Sequence, residues 1–247
     1  MESKFKIPTE TVELPSKGLL YPKDSPLAKG ELEMKYMTAK EEDILTNQNY
    51  ITKGTVIDKL LRSLIVTEGV KYEDLLIGDK NAIMIAARIL SYGPDYNVMY
   101  NGENITIDLS KLENKEINPE NYKKGNEFTH TLPSGNEIVF KLLNHKDEVA
   151  VNRELDGLKK IDKNASPEVT TRLKYMIVSI NGSKEVKDIR EFVDKYMLAT
   201  DARDLRKEYA RVQPDVNLTF KYTDEDGGEE DVDVPVGIGF FWPDSRG

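Results

Sequence analysis

Hydrophobic and polar positions alternate in distinct registers along this chain, and each register predicts an element. Leu32, Met34 and Tyr36 alternate with Glu31, Glu33 and Lys35, the period-two mark of a half-buried strand. Thr38 followed by Glu41 has the spacing of a capping box and opens a short helix from Ala39 to about Thr46. Val56, Leu60, Leu61, Leu64 and Ile65 share one helical face, so a second helix is expected from Thr55 to Val66. A third has Asp79 as its cap, Ile83, Ala86, Ala87 and Leu90 as its face, and Gly93-Pro94 as its stop. Its apolar run is broken only by Arg88.

Residues 95–145 change character. Stretches 97–100 and 104–109 read as strands. Stretches 127–132 and 136–142 flank Pro133-Ser-Gly135, a hairpin signal that puts Phe128, His130 and Leu132 on one face. The polar stretch 110–126 reads as a connection. Beyond it an amphipathic helix is expected from Asp147 to Ile161. Ser166-Pro167-Glu168 opens another, running through Leu173, Met176 and Ile177 to Ile180 and stopping at Asn181-Gly182. Val186, Ile189, Phe192, Val193 and Tyr196 form a further apolar face, and Thr200 caps a last helix to about Val212. Stretches 216–222 and 231–236 make a second hairpin, leading into Gly237-Ile-Gly-Phe-Phe-Trp-Pro243.

The expected fold class is α+β: helical bundles with small antiparallel hairpins and sheets, plus an irregular extended N-terminal arm. Four segments follow. They are the arm (1–30), a strand plus helices (31–94), a β-rich segment (95–145), and a helical segment ending in a hairpin and an aromatic C-terminus (146–247). The arm is the segment that periodicity does not explain. Pro15 holds its predecessor extended and Ser16-Lys-Gly18 is a turn, yet Leu14, Leu19, Leu20 and Tyr21 share no face. Such a segment needs something to lie against, either its own domain or a neighbour.

Composition narrows the chemistry. A chain of 247 residues can bury roughly 70–75% of its unfolded surface and needs no disulfide or metal to fold. There is no cysteine, which removes disulfides, thiolate metal sites and thiol nucleophiles and suits a cytosolic folding environment. The net charge of −9 repels phosphate backbones, so a nucleic-acid partner is not expected. No apolar run approaches a membrane span and residues 1–8 lack the apolar region of a secretory leader, so no membrane partner is expected either.

Candidate chemistry is sparse. His130 and His145 are the only histidines, and neither sits in a triad spacing. Glu41-Glu42 favour a helix N-terminus, and Arg203, Arg206 and Arg211 interleave with Asp201, Asp204 and Glu208, as intrahelical pairs do. The acidic run 224–231 lacks the spacing of a calcium loop and reads as a solvated turn. No phosphate loop or dinucleotide fingerprint occurs. No catalytic, cofactor-binding or metal residue is therefore assigned, and no cofactor. The pointed features are apolar: Leu14, Pro15, Leu19, Leu20 and Tyr21 in the arm, and Phe240, Phe241 and Trp242, which either close the chain's own core or anchor in a partner.

Leu14-Pro-Ser-Lys-Gly-Leu-Leu-Tyr-Pro22, Met37-Thr-Ala-Lys-Glu-Glu-Asp-Ile-Leu-Thr46, Arg172-Leu-Lys-Tyr-Met-Ile-Val-Ser-Ile-Asn-Gly182 and Phe240-Phe-Trp-Pro243 together carry a resemblance. They resemble the baseplate hub subunits and hub assembly proteins of T-even-like contractile-tailed bacteriophages. The resemblance implies a non-enzymatic structural component or assembly factor of the baseplate hub. Its partners would be other baseplate and tail proteins, with room for an oligomer in the assembly. It would be assembled in the host cytoplasm and located in the virion tail baseplate. The alternatives are a tail-assembly chaperone absent from the mature virion, and a metal-dependent hydrolase, against which the two histidines and missing cysteines argue.

Overall fold

The computed structural model describes residues 6–162, 167–223, 227–236 and 238–241. Residues 1–5, Ser166 with its capping role, the acidic residues 224–226, Trp242 and Pro243 lie outside them. The architecture is α+β. Strand β1 (Thr9–Glu13) pairs antiparallel with β2 (Glu31–Lys35), in a register that sets Thr9 against Lys35 and Glu13 against Glu31. Helices α1 (Ala39–Leu45), α2 (Gln48–Thr52), α3 (Val56–Leu64) and α4 (Ile77–Tyr92) follow, then the hairpin of β3 (Asp95–Tyr100) and β4 (Glu103–Asp108). A three-stranded antiparallel sheet has β6 (Glu137–Phe140) between β5 (Phe128–Thr131) and β7 (Ile177–Ile180). Around it lie α5 (His145–Ile161), α6 (Glu168–Met176), α7 (Val186–Glu191) with a following π-helical turn (Phe192–Tyr196), and α8 (Ala199–Val212). A last hairpin joins β8 (Thr219–Thr223) to β9 (Glu229–Asp233).

The periodic elements arise as their patterns dictate. Leu32 and Met34 of β2 are buried while Glu31 and Glu33 face out. At the start of α1 the Glu41 carboxylate accepts from the Thr38 backbone N–H at 3.0 Å and from the Thr38 hydroxyl at 2.6 Å, and meets Lys35 Nζ at 2.8 Å. That side chain is buried, so the capping interaction is also an internal ion pair tying the helix to β2. Val56, Leu60, Leu61 and Leu64 line the buried face of α3.

Several expectations are corrected. The helix expected to run to Ile180 stops at Met176, because Ile177-Val-Ser-Ile180 completes the sheet as β7. There Ile180 faces Ile138, and the Lys141 N–H donates to the Met176 carbonyl at 2.9 Å. The β-branched run suits a sheet, and a partner nearly forty residues away leaves no local signal. Asp79 is not the cap of α4. The N-cap is Leu76, and Asp79 occupies the third helical position. Likewise α8 begins at Ala199 behind Leu198, so Thr200 lies inside the helix and is not its cap, and the Leu198 N–H donates to the Asp201 carboxylate at 3.2 Å. His145 is the first residue of α5 and not part of the preceding loop, with Asn144 as cap. The short α2 carries no apolar period and was not expected.

Two apolar cores form. The first draws on Leu14 and Leu27 of the arm, β2, α1, α3, α4 and the β3–β4 hairpin, and is completed by Val234, Phe240 and Phe241. The second lies between the three-stranded sheet and α6, α7 and α8, and takes in Leu20, Leu76 and Tyr122. The chain therefore crosses itself: the segment after β9 returns to the first core. Arg88 of α4 holds it there, with Nε donating to the Phe240 carbonyl at 3.0 Å, Nη1 to Gly93 O at 2.9 Å and Nη2 to Asp95 O at 3.0 Å. The Tyr96 ring meets Phe240 edge-on, and its hydroxyl donates to Pro235 O at 2.9 Å.

Candidate interaction site

The arm is built around one buried carboxylate. Lys17 (φ 50°) and Gly18 (φ 75°) are both left-handed, which turns the chain sharply after Ser16. A Cβ at Gly18 would lie 2.4 Å from the Ala28 carbonyl oxygen, so only glycine fits where the turn meets the chain before Gly30. The turn aims Ser16 at the first turn of α4. The Ser16 N–H donates to Asp79 Oδ1 at 2.9 Å and its hydroxyl to Oδ2 at 2.7 Å. The Tyr21 hydroxyl donates to Oδ2 at 2.6 Å and accepts the Leu76 N–H at 3.0 Å. Burial pushes the Asp79 carboxyl above the usual carboxylate range, with the donors from Tyr21 and Ser16 only partly opposing it. Burial, and next the Asp79 charge, push the Tyr21 phenol up in turn, so it stays a donor.

This clamp decides what the candidate residues can reach. Leu14 is 1% exposed in the first core and Leu20 is 5% exposed in the second, so the stretch Leu14–Leu20 pins both cores to α4. Pro15 is buried with them. Leu19, at 39%, is the outward apolar side chain of the Leu14–Pro22 stretch; Ile7, earlier in the arm, is exposed as well. Tyr21 is half-buried and, with Leu20 and Pro22, walls an open cleft of about 690 Å3 whose other side includes Lys71, Lys124 and Glu127. Phe240 and Phe241 are fully buried within the chain's own first core. Of the eight candidates, Leu14 shares the first core with Phe240 and Phe241, Leu20 enters the second, and Trp242 lies outside the described residues. Ser16 and Asp79, which organise the arm, and Arg88, which holds the C-terminal segment, were missed as site residues. The available signals were a lone charge inside the apolar run 82–90 and an acid one glycine after Leu75-Leu76-Ile77.

A second polar cluster joins α3, α4 and α5. Asp58 receives Lys80 Nζ at 2.7 Å and the Tyr72 hydroxyl at 2.9 Å on Oδ1, and faces His145 Nε2 at 3.7 Å through Oδ2. Lys80 Nζ lies 3.4 Å from His145 Nδ1, a contact in which the ammonium donates only when the ring is neutral with its proton on Nε2. Burial disfavours the Asp58 carboxylate, but Lys80, His145 and Tyr72 together outweigh it and hold the carboxyl below its ordinary range. Burial lowers His145 from its ordinary 6.5, opposed by Asp58 and reinforced by Lys80 and Arg62. The unfolded chain therefore takes up this proton first as pH falls. The contribution of His145 to stability is full above the ordinary imidazole range and lost as pH drops through it. The urea midpoint is expected to fall between about pH 7 and pH 5, and the fall should shrink in His145→Gln. An equal fall in that variant assigns the pH dependence to other groups.

His130 Nε2 meets Asp204 at 2.7 Å, a strand-to-helix pair at the edge of the second core. Among the described residues no group of three or more His, Asp or Glu side chains is placed to hold a metal ion, and no helix is long and apolar enough to cross a membrane. What the geometry offers is a rigidly seated arm, an open cleft beside it, and apolar side chains left outside the cores.

A family model described as T4 bacteriophage base plate protein matches residues 7–242. The match spans nearly the whole described chain, arm included, and the chain belongs to that family. It is a T4-like phage baseplate protein, of a family whose role is structural and whose members work among other phage tail proteins. No curated protein and no solved structure matched the chain.

Proposed function

We propose that this chain is a component of the baseplate hub of a contractile tail, a subunit or assembly factor that acts through protein–protein contacts. One observation carries this reading: the Leu14–Pro22 and Met37–Thr46 blocks that resemble hub proteins are each seated by a buried carboxylate, Asp79 for the first and Glu41 for the second. A block so firmly positioned presents Leu19 and the outer edge of Tyr21 in one fixed geometry, which lowers the ordering cost of docking. In this reading Leu19 and Tyr21 meet the neighbour directly. Leu14, Pro15, Leu20, Phe240 and Phe241 support the fold from within, and Trp242 stays a candidate contact by its residue type alone. Further apolar area lies along residues 186–198, where Val186, Tyr196 and Leu198 are all more than half exposed. The four segments 1–30, 31–94, 95–145 and 146–247 act as one body in this proposal, because the first core uses residues from the first and the last.

Mass spectrometry of purified virions separates the two versions: presence marks a structural subunit, and absence from particles that still require the gene marks an assembly factor. Leu19→Asp leaves the fold intact, because the side chain is already at the surface, and is expected to block complementation of a deletion. Normal tails in the complete absence of the protein would overturn both versions.

A further inference from the structure

The β3–β4 and β8–β9 hairpins lock onto each other through reciprocal bonds. The Tyr100 hydroxyl donates to Glu230 Oε1 at 2.9 Å, and the Tyr222 hydroxyl donates to Glu103 Oε2 at 3.1 Å. The Tyr100 ring stands edge-on to Tyr222 at 5.0 Å and to Phe220 at 6.5 Å. Beside this junction an open cleft of about 420 Å3 separates β3 from β9. Val98, Phe220 and Val232 contribute its apolar lining, Met99 stands 58% exposed beside them, and Asp231 and Asp233 belong to the same wall.

Charge around this cleft is mainly acidic, with the cation Lys221 set opposite Asp231 in the β8–β9 ladder. Strands β3 and β4 carry Asp95, Glu103 and Asp108 and neither Lys nor Arg, and β9 reads Glu-Glu-Asp-Val-Asp. Lys221 is the one cation on β8 and β9, and it lies 3.6 Å from Glu229. Among the described residues Asp231 and Asp233 make no ion pair. An apolar trough with an acidic rim suits a side chain with an apolar stem and a cationic tip, and aromatic rings add attraction for that tip. A second copy of this chain, at net charge −9, or a nucleic acid would be repelled.

We infer that the cleft between the two hairpins receives a Lys- or Arg-bearing segment of another tail protein, whose stems lie on Met99 and Val232 and whose cations meet Asp231 and Asp233. The inference rests on the reading that the chain works through protein contacts, and adds a second docking surface, chemically unlike the apolar arm. Its test does not depend on the hub assignment, because it uses the purified full chain in solution.

The probe is a short synthetic peptide of alternating Lys and Gly, with its Glu–Gly counterpart, titrated against protein carrying labelled methionine methyl groups. The Met99 methyl resonance, assigned through Met99→Leu, is expected to move saturably with the Lys peptide and stay still with the Glu peptide. Asp231→Asn with Asp233→Asn is expected to weaken the affinity by about tenfold, and added salt to weaken it further. Asp43→Asn with Glu116→Gln, exposed carboxylates outside the cleft lining, should leave it unchanged. All four sites are at the surface, so equal urea midpoints show that folding is not the cause. Three results would overturn the inference: no saturable movement at Met99, an equal loss in the distant pair, or movement driven by protein concentration alone, which would mean self-association.

Discussion

Asp79→Ala is expected to lower the stability of the protein by about 3–5 kcal/mol, since it strands the donors that the carboxylate now satisfies in a dry site. Those donors are the Ser16 N–H, the Ser16 hydroxyl and the Tyr21 hydroxyl, and Asp79 itself is fully buried. Against a typical total of about 5–15 kcal/mol this is a large fraction. The loss should appear as a lower urea midpoint, together with faster amide exchange across residues 14–21. Asp79→Asn keeps one acceptor but sets an NH2 against two hydroxyl groups, and should cost about 1–2 kcal/mol. A loss under 1 kcal/mol for the alanine variant would mean that apolar contacts of Leu14 and Leu20 seat the arm unaided.

Arg88→Ala is expected to cost a similar amount, about 3–5 kcal/mol, for two combined reasons: carbonyls lose a charged donor, and a large side chain leaves a cavity. The guanidinium fork spans three places in the chain, the end of α4, the start of β3 and the Phe240 turn, and Arg88 is only 1% exposed. Arg88→Lys offers a shorter point charge in place of the planar fork and should recover only part of the loss. Because Phe240 and Phe241 fill the first core, the alanine variant should also release the C-terminal segment to limited proteolysis before the rest of the protein unfolds. Coincident cleavage and global unfolding would show instead that this segment has no independent opening.

What could be read in the sequence was local. The face of α3, the capping box at Thr38, the hairpin at Pro133-Ser-Gly135 and the stop at Gly93-Pro94 each draw on residues within a few positions of one another, and each formed where expected. What escaped depends on partners far along the chain. Strand β7 needs β6. Strand β1 is polar on nearly every side chain and is fixed only by its ladder to β2. The arm shows no period because Leu14 and Leu20 enter different cores, so no single face exists to be detected. Asp79 and Arg88 stood out as charges beside apolar runs, but their partners are 58 to 63 residues away for the first and 152 for the hydrogen bond to Phe240. The cleft between the hairpins follows the same rule: the acidic run near 230 reads as a solvated turn until β3 is placed beside it.

The first core takes side chains from position 14 and from position 241. A core assembled from such distant parts has a high contact order, and loop closure must precede the reward of burial, so folding is slow compared with a helical bundle of similar size. During synthesis the arm emerges early and has nowhere complete to settle. Leu14 waits for Phe240 and Phe241 to finish its surroundings, and Leu20 waits for α8. Until residue 241 has left the ribosome, apolar surface on both sides of α4 stays uncovered. The nascent chain is thus open to chaperones, and to its eventual neighbours, for most of its synthesis.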